Sequence, residues 1–134
     1  MEKLFKTIIT TSYILFLIYF FNPYLTIDFY SENTLDALSW NGYGELVYMD
    51  SIVGYLFLAA YTIVFIGLLN FMAWARSFFV SLTLISIVFS IVQGLSVLTP
   101  LDSTLAYLIT ILDGATITIM FTNPISTFFK EKTE

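Results

Sequence analysis

The chain is 134 residues long, 58% hydrophobic and 19% aromatic, with 11% charged residues, a net charge of −5, and neither histidine nor cysteine. Soluble domains carry about 25% charged residues, and a mean hydropathy of +0.87 leaves too little polar surface to cover a water-facing globule. The composition excludes a soluble domain in favour of an integral membrane protein, and a negative net charge without a basic patch excludes nucleic acid as a partner.

The first uncharged run, residues 7–27, follows Lys3 and Lys6. A secretory leader would end in small residues, but this stretch ends in Tyr19, Phe20, Phe21, Asn22 and Pro23, so it is read as the first membrane helix. Three further runs follow: 51–75, 77–101, and 103–129 broken only by Asp113. A hydrocarbon core about 30 Å thick takes roughly 20 helical residues, so each run crosses once and none crosses twice. Tyr13 to Phe21 and Ile63 to Leu69 are apolar on every side, which suits helices rather than alternating transmembrane strands. Pro23, Pro100 and Pro124 fall at the ends of runs, where a missing N–H does least harm. The predicted helices are 4–22, 51–73, 77–98 and 104–123.

Residues 23–50 form the long connecting segment. Tyr24 to Tyr30 reads as a strand with Glu45 to Met49 as partner, Ser31 to Leu38 as a helical turn capped by Ser31 or Asn33, and Asn41-Gly42 as a turn. Glu32 and Asp36 would share a helix face, a conceivable cation or partner site, although the spacing is not that of an EF-hand loop. A solvated acidic loop is the simpler reading. Phe29, Tyr30, Trp40, Tyr43 and Tyr48 are expected to pack down on the helix ends or, failing that, on a partner.

Basic residues mark cytoplasmic ends. Lys3, Lys6, Arg76, Lys130 and Lys132 all fall on one side, while Asp28, Glu32, Asp36, Glu45, Asp50 and Asp102 fall on the other. Residues 1–134 therefore read as one all-α domain, a four-helix antiparallel transmembrane bundle with both termini cytoplasmic and a small extracytoplasmic subdomain at 23–50. Arg76 reads as a headgroup anchor. Asn70 reads as a cap or a contact to a neighbour, and Gly54, Ala60, Gly67, Ser77 and Ser81 as points of close helix approach.

The third helix carries a polar stripe, Thr83, Ser86, Ser90 and Gln93, with Gly94 beside it. In the fourth helix, Thr110, Asp113 and Gly114 share a face. Counting outward from a tight turn near residue 101 puts Ser90 level with Asp113 and Gln93 level with Thr110, so the two faces are expected to meet or to line a cavity. Asp113 is the one ionisable side chain deep in the membrane, where a charge costs roughly 2.5 to 3.5 kcal/mol and is a functional hypothesis by default. The structural alternative is a carboxyl that bonds Ser86, Ser90 or Gln93 and sets helix pairing.

Without histidine or cysteine there is no usual haem or zinc ligation, no thiol nucleophile and no disulfide. One intramembrane carboxylate cannot form an aspartyl protease dyad, and no glycine-rich phosphate loop occurs. An enzyme is not expected, and no cofactor or metal is called for. The outline resembles claudin-like and tetraspan-type proteins, but the absence of cysteine removes their loop disulfides and nothing is carried over. Three roles remain. The first is an accessory, assembly or partner-binding subunit in the cell membrane, using Glu32, Asp36, Trp40 and Tyr43 or the intramembrane site. The second is a homo-oligomeric proton or ion channel or transporter built on Asp113, and the third a lipid-binding protein. The corresponding partners are membrane lipid, another membrane protein or a second copy.

Overall fold

A computed structural model describes residues 1–46 and 51–131. Every regular element among them is helical: α1 (Glu2–Thr26), α2 (Glu32–Leu38), α3 (Ser51–Leu69), α4 (Ala73–Val92), α5 (Pro100–Phe121) and α6 (Ile125–Glu131). The long helices α1, α3, α4 and α5 are each long and apolar enough to cross a membrane. They replace the predicted helices with shifts of a few residues, except that α4 stops at Val92 and not at residue 98.

The helices close unevenly. Helix α1 packs along most of α5 and also against α3, and α3 packs against α4, but α4 barely touches α5. An aromatic column joins α1 to α3: the Tyr13 and Phe65 rings stack at 4.0 Å and Phe16 lies 4.4 Å from Tyr61. The Tyr13 hydroxyl bonds Thr62 at 2.9 Å within the same seam.

The α3–α4 turn is tight because glycine allows it. A methyl group on Gly67 would lie 2.8 Å from the Ala75 Cβ and 3.0 Å from Trp74. Phe71 adopts a left-handed φ of 54° there, and the Met72 N–H closes the turn by donating to the Gly67 carbonyl at 2.9 Å. A left-handed residue with a Cβ costs about 1 to 2 kcal/mol. Burial of the Phe71 ring against Phe5, Phe128 and Phe129, at 5.2–5.7 Å, offsets it.

Helix α6, which lies past the predicted end of the fourth helix at residue 123, completes this end by burying Ile125 and Phe129 fully. The Lys6 ammonium lies 5.2 Å from the Phe71 ring, and the Arg76 guanidinium lies 4.9 Å from Phe129 and 5.6 Å from Phe121. Lys6 and Arg76 therefore occupy the same end of the bundle.

At the opposite end, the expected strand Tyr24 to Tyr30 is not formed. Tyr24 to Thr26 continue α1 past Pro23, and Ile27–Phe29 make a single 3-10 turn. Helical hydrogen bonding already begun at Asn22 wins over β propensity here, and the Thr26 hydroxyl supports it by donating to the Asn22 carbonyl at 2.8 Å. Of the expected partner strand Glu45 to Met49, Glu45 and Leu46 are not in a strand and Val47 to Met49 lie outside the described residues. Helix α2 forms where a short helical turn is expected, and of the two candidate caps it is the Ser31 hydroxyl that accepts from the Thr34 N–H, at 3.4 Å.

What ends α4 early is the segment at 41–46. The Leu95 N–H donates to Tyr43 (2.9 Å), the Gly42 N–H to Leu95 (2.7 Å), and the Leu46 N–H to Val92 (2.9 Å). The Asn41 side chain accepts from the Val97 N–H at 3.0 Å. Backbone groups that would have continued the helix are thus satisfied by the connecting segment, as buried or semi-buried polar backbone must be.

Candidate functional site

Asp113 sits in the interior of α5, eight residues from its last residue and thirteen from its first, which is at least about 12 Å from either helix end at 1.5 Å per residue. Its Oδ1 accepts two hydrogen bonds, one from the Ser12 hydroxyl on α1 at 2.6 Å and one from the Tyr61 hydroxyl on α3 at 2.9 Å. Among the described residues, neither bond falls on Oδ2. Ser12 is buried and Tyr61 nearly so, 2% and 7% exposed. Three helices therefore converge on one carboxyl oxygen.

This corrects the expected partners. Ser86 and Ser90 donate instead to the carbonyls of Thr83 and Ile87 in their own helix, both at 2.7 Å, and Gln93 lies past the end of α4. Equal counting from a tight turn assumed helix to residue 98. Residues 93–98 instead leave the helix to pair with 41–46, so they do not carry the chain along the bundle. The residues of α4 that reach the level of Asp113 lie one or two turns earlier, at Thr83 and Ser86.

Those two do share a cavity with Asp113. In the gap between α4 and α5 a groove of about 420 Å³ is lined by Thr83, Ser86, Thr110, Asp113 and Gly114, with apolar and aromatic walls that include Phe16, Phe57 and Tyr61. Ser90 and Gln93 do not line it. A second cavity of about 10 Å³ touches Asp113, Ser12 and Tyr61, about the volume one water needs.

Ser12 and Tyr61 escape a reading based on neighbouring helices, because they lie on α1 and α3, neither of which is next to α5 in sequence. A signal for Ser12 exists. Asn22 on α1 donates to Asp102 on α5 at 2.7 Å; ten residues along α1 and eleven along α5 from that pair lie Ser12 and Asp113. Two polar pairs at one antiparallel offset would have located the contact.

The loop residues fare differently. Glu32 and Asp36 lie a turn apart on exposed α2, and no group of three acidic, His or Cys side chains suited to a metal occurs among the described residues. Trp40 and Tyr43 pair with ring centroids 6.0 Å apart. They do not pack down as expected: with Phe29 they stand 60%, 75% and 85% exposed, because the backbone of 41–46, not its side chains, docks on the bundle. Tyr30 alone among the described loop aromatics turns inward, lining a cavity of about 460 Å³ with Tyr19, Leu35, Leu38 and Asp102. Tyr48 lies outside the described residues.

The chain matches no protein family, no curated protein and no solved structure, so the functional reading rests on this geometry.

Proposed function

We propose that this is a non-enzymatic integral protein of the cell membrane, with both termini cytoplasmic, that acts as an accessory or assembly subunit by binding another membrane component. The orientation is supported by Lys6 and Arg76 at one end of the bundle, facing away from the end that carries Asp28, Glu32, Asp36 and Asp102. In this cysteine-free chain, a cysteine at Ser39 would then react with an impermeant maleimide on intact cells, whereas one at Thr7 would react only after permeabilisation. The reverse pattern would overturn the topology.

One observation carries the binding role: the bundle is open between α4 and α5, and the gap exposes polar groups where lipid would otherwise lie. Within a bilayer such groups are rare on lipid-facing surfaces and face a bundle interior, a cavity or a partner. The exposed Trp40–Tyr43 pair is a second contact of the kind enriched at interfaces. Extraction from native membranes in a mild detergent, after crosslinking, is expected to recover the chain with a stoichiometric membrane partner. Recovery as a lone monomer would count against it.

A further inference from the structure

We infer that the α4–α5 groove receives a transmembrane helix of a different protein, one that carries a single lysine or arginine at the depth of Asp113. This rests on the partner-binding role and names the partner's chemistry.

The shape of the groove favours a helix. On α5 its lining runs from Ala106 to Ile117, about 16 Å at 1.5 Å per residue, so it is long and lies parallel to a spanning helix. Ala106, Thr110 and Gly114 repeat every four residues along it, the small-residue spacing at which helices approach closely in lipid. Among the described residues nothing closes on the stripe at Gly114, where an added Cβ would meet no atom within 4 Å. The Thr110 hydroxyl is turned back to the Ala106 carbonyl at 2.8 Å, which keeps the stripe smooth.

Charge then selects the helix. Asp113 lines the groove with its Oδ1 held by Ser12 and Tyr61, and in the sequence every lysine and arginine flanks the spans and none falls inside one. Intramembrane ionisable residues pair with one another. A second copy of this chain would bring another Asp113 and no intramembrane base, so the complementary residue has to come from a different chain.

The test uses the full chain, labelled through a cysteine at Thr7, in lipid vesicles with fluorescent leucine helices of about 20 residues. One peptide carries a central lysine and the other does not, and energy transfer reports binding. The lysine peptide is expected to bind at least about tenfold more tightly. Asp113→Asn should erase that preference, and Gly114→Leu should abolish binding of both peptides while leaving the helical fold, since the site is open. Equal binding of the two peptides, or a lysine preference that survives in Asp113→Asn, would overturn the charge pairing while leaving a helix-binding groove intact. Failure of both peptides to bind would remove the helix-binding role for this groove as well.

Discussion

Gly94→Ala is expected to release the connecting segment from the bundle and to cost about 2 to 4 kcal/mol of stability. Gly94 has a left-handed φ of +82°, and a methyl group there would lie 2.7 Å from the Glu45 nitrogen and 2.8 Å from the carbonyl oxygens of Gly42 and Tyr43. All three obstacles are backbone atoms, and they belong to the segment that bonds Leu95 and Val92. No side chain can rotate away to make room. The segment must move as a whole, which breaks the Gly42–Leu95, Leu95–Tyr43 and Leu46–Val92 bonds together. Hydrogen exchange in lipid nanodiscs would show it as lost protection at the Gly42, Leu46 and Leu95 amides. The Ser12–Asp113–Tyr61 junction, far along α5, should be unchanged. Unaltered protection of those amides in the variant would mean that the docking of 41–46 against 92–97 is wrong.

Asp102→Ala is the second large effect expected. Asp102 Oδ1 accepts from the Asn22 amide at 2.7 Å, and Oδ2 accepts from the Thr99 hydroxyl at 2.7 Å and the Thr99 N–H at 3.3 Å. The Thr99 hydroxyl in turn accepts from the Asp102 N–H at 3.2 Å, completing a capping box at the start of α5. Asn22, Thr99 and Asp102 are 3%, 7% and 8% exposed, so water does not replace what alanine removes. Alanine keeps the backbone N–H that Thr99 caps but strands the Asn22 amide and the Thr99 hydroxyl and N–H; at about 1 to 3 kcal/mol for each buried donor left unpaired, the total is at least about 3 kcal/mol. Asn22→Leu alone should cost less, because it removes a donor and fills its space. Combined with Asp102→Ala it should add little, since the Asn22 donor that alanine strands is already gone. Unfolding followed by circular dichroism in detergent would give the three values. Strict additivity would show that the two side chains do not act as a pair.

The two sites differ in how far they could be read in advance. Asp102 stands out in sequence only as one of six acids placed opposite the basic residues, because capping and burial depend on what α1 brings to it. Asp113 stands out at once, since an acid inside an apolar run has no cheap explanation. Its partners do not, because α1 and α3, which supply them, are not the sequence neighbours of α5. The connecting segment is legible where local chemistry decides, at the Ser31 cap and the Asn41-Gly42 turn. It was misread where a long-range contact decides: Tyr24 to Thr26 join α1, and the β-like pairing of 41–46 is with 92–97.

The sequence by itself determined that four helices are long and apolar enough to cross a membrane and that one carboxylate lies among them. Charge-free length and the cost of placing charge in hydrocarbon are local quantities, written into every stretch of 20 or so residues. Only the tertiary structure decided that Ser12 and Tyr61 hold Asp113, that α4 ends at Val92, that α6 seals the basic end, and that α4 and α5 stand apart. Each of these depends on which helices touch, and in an apolar environment that choice is made by a few small residues and polar pairs from distant parts of the chain.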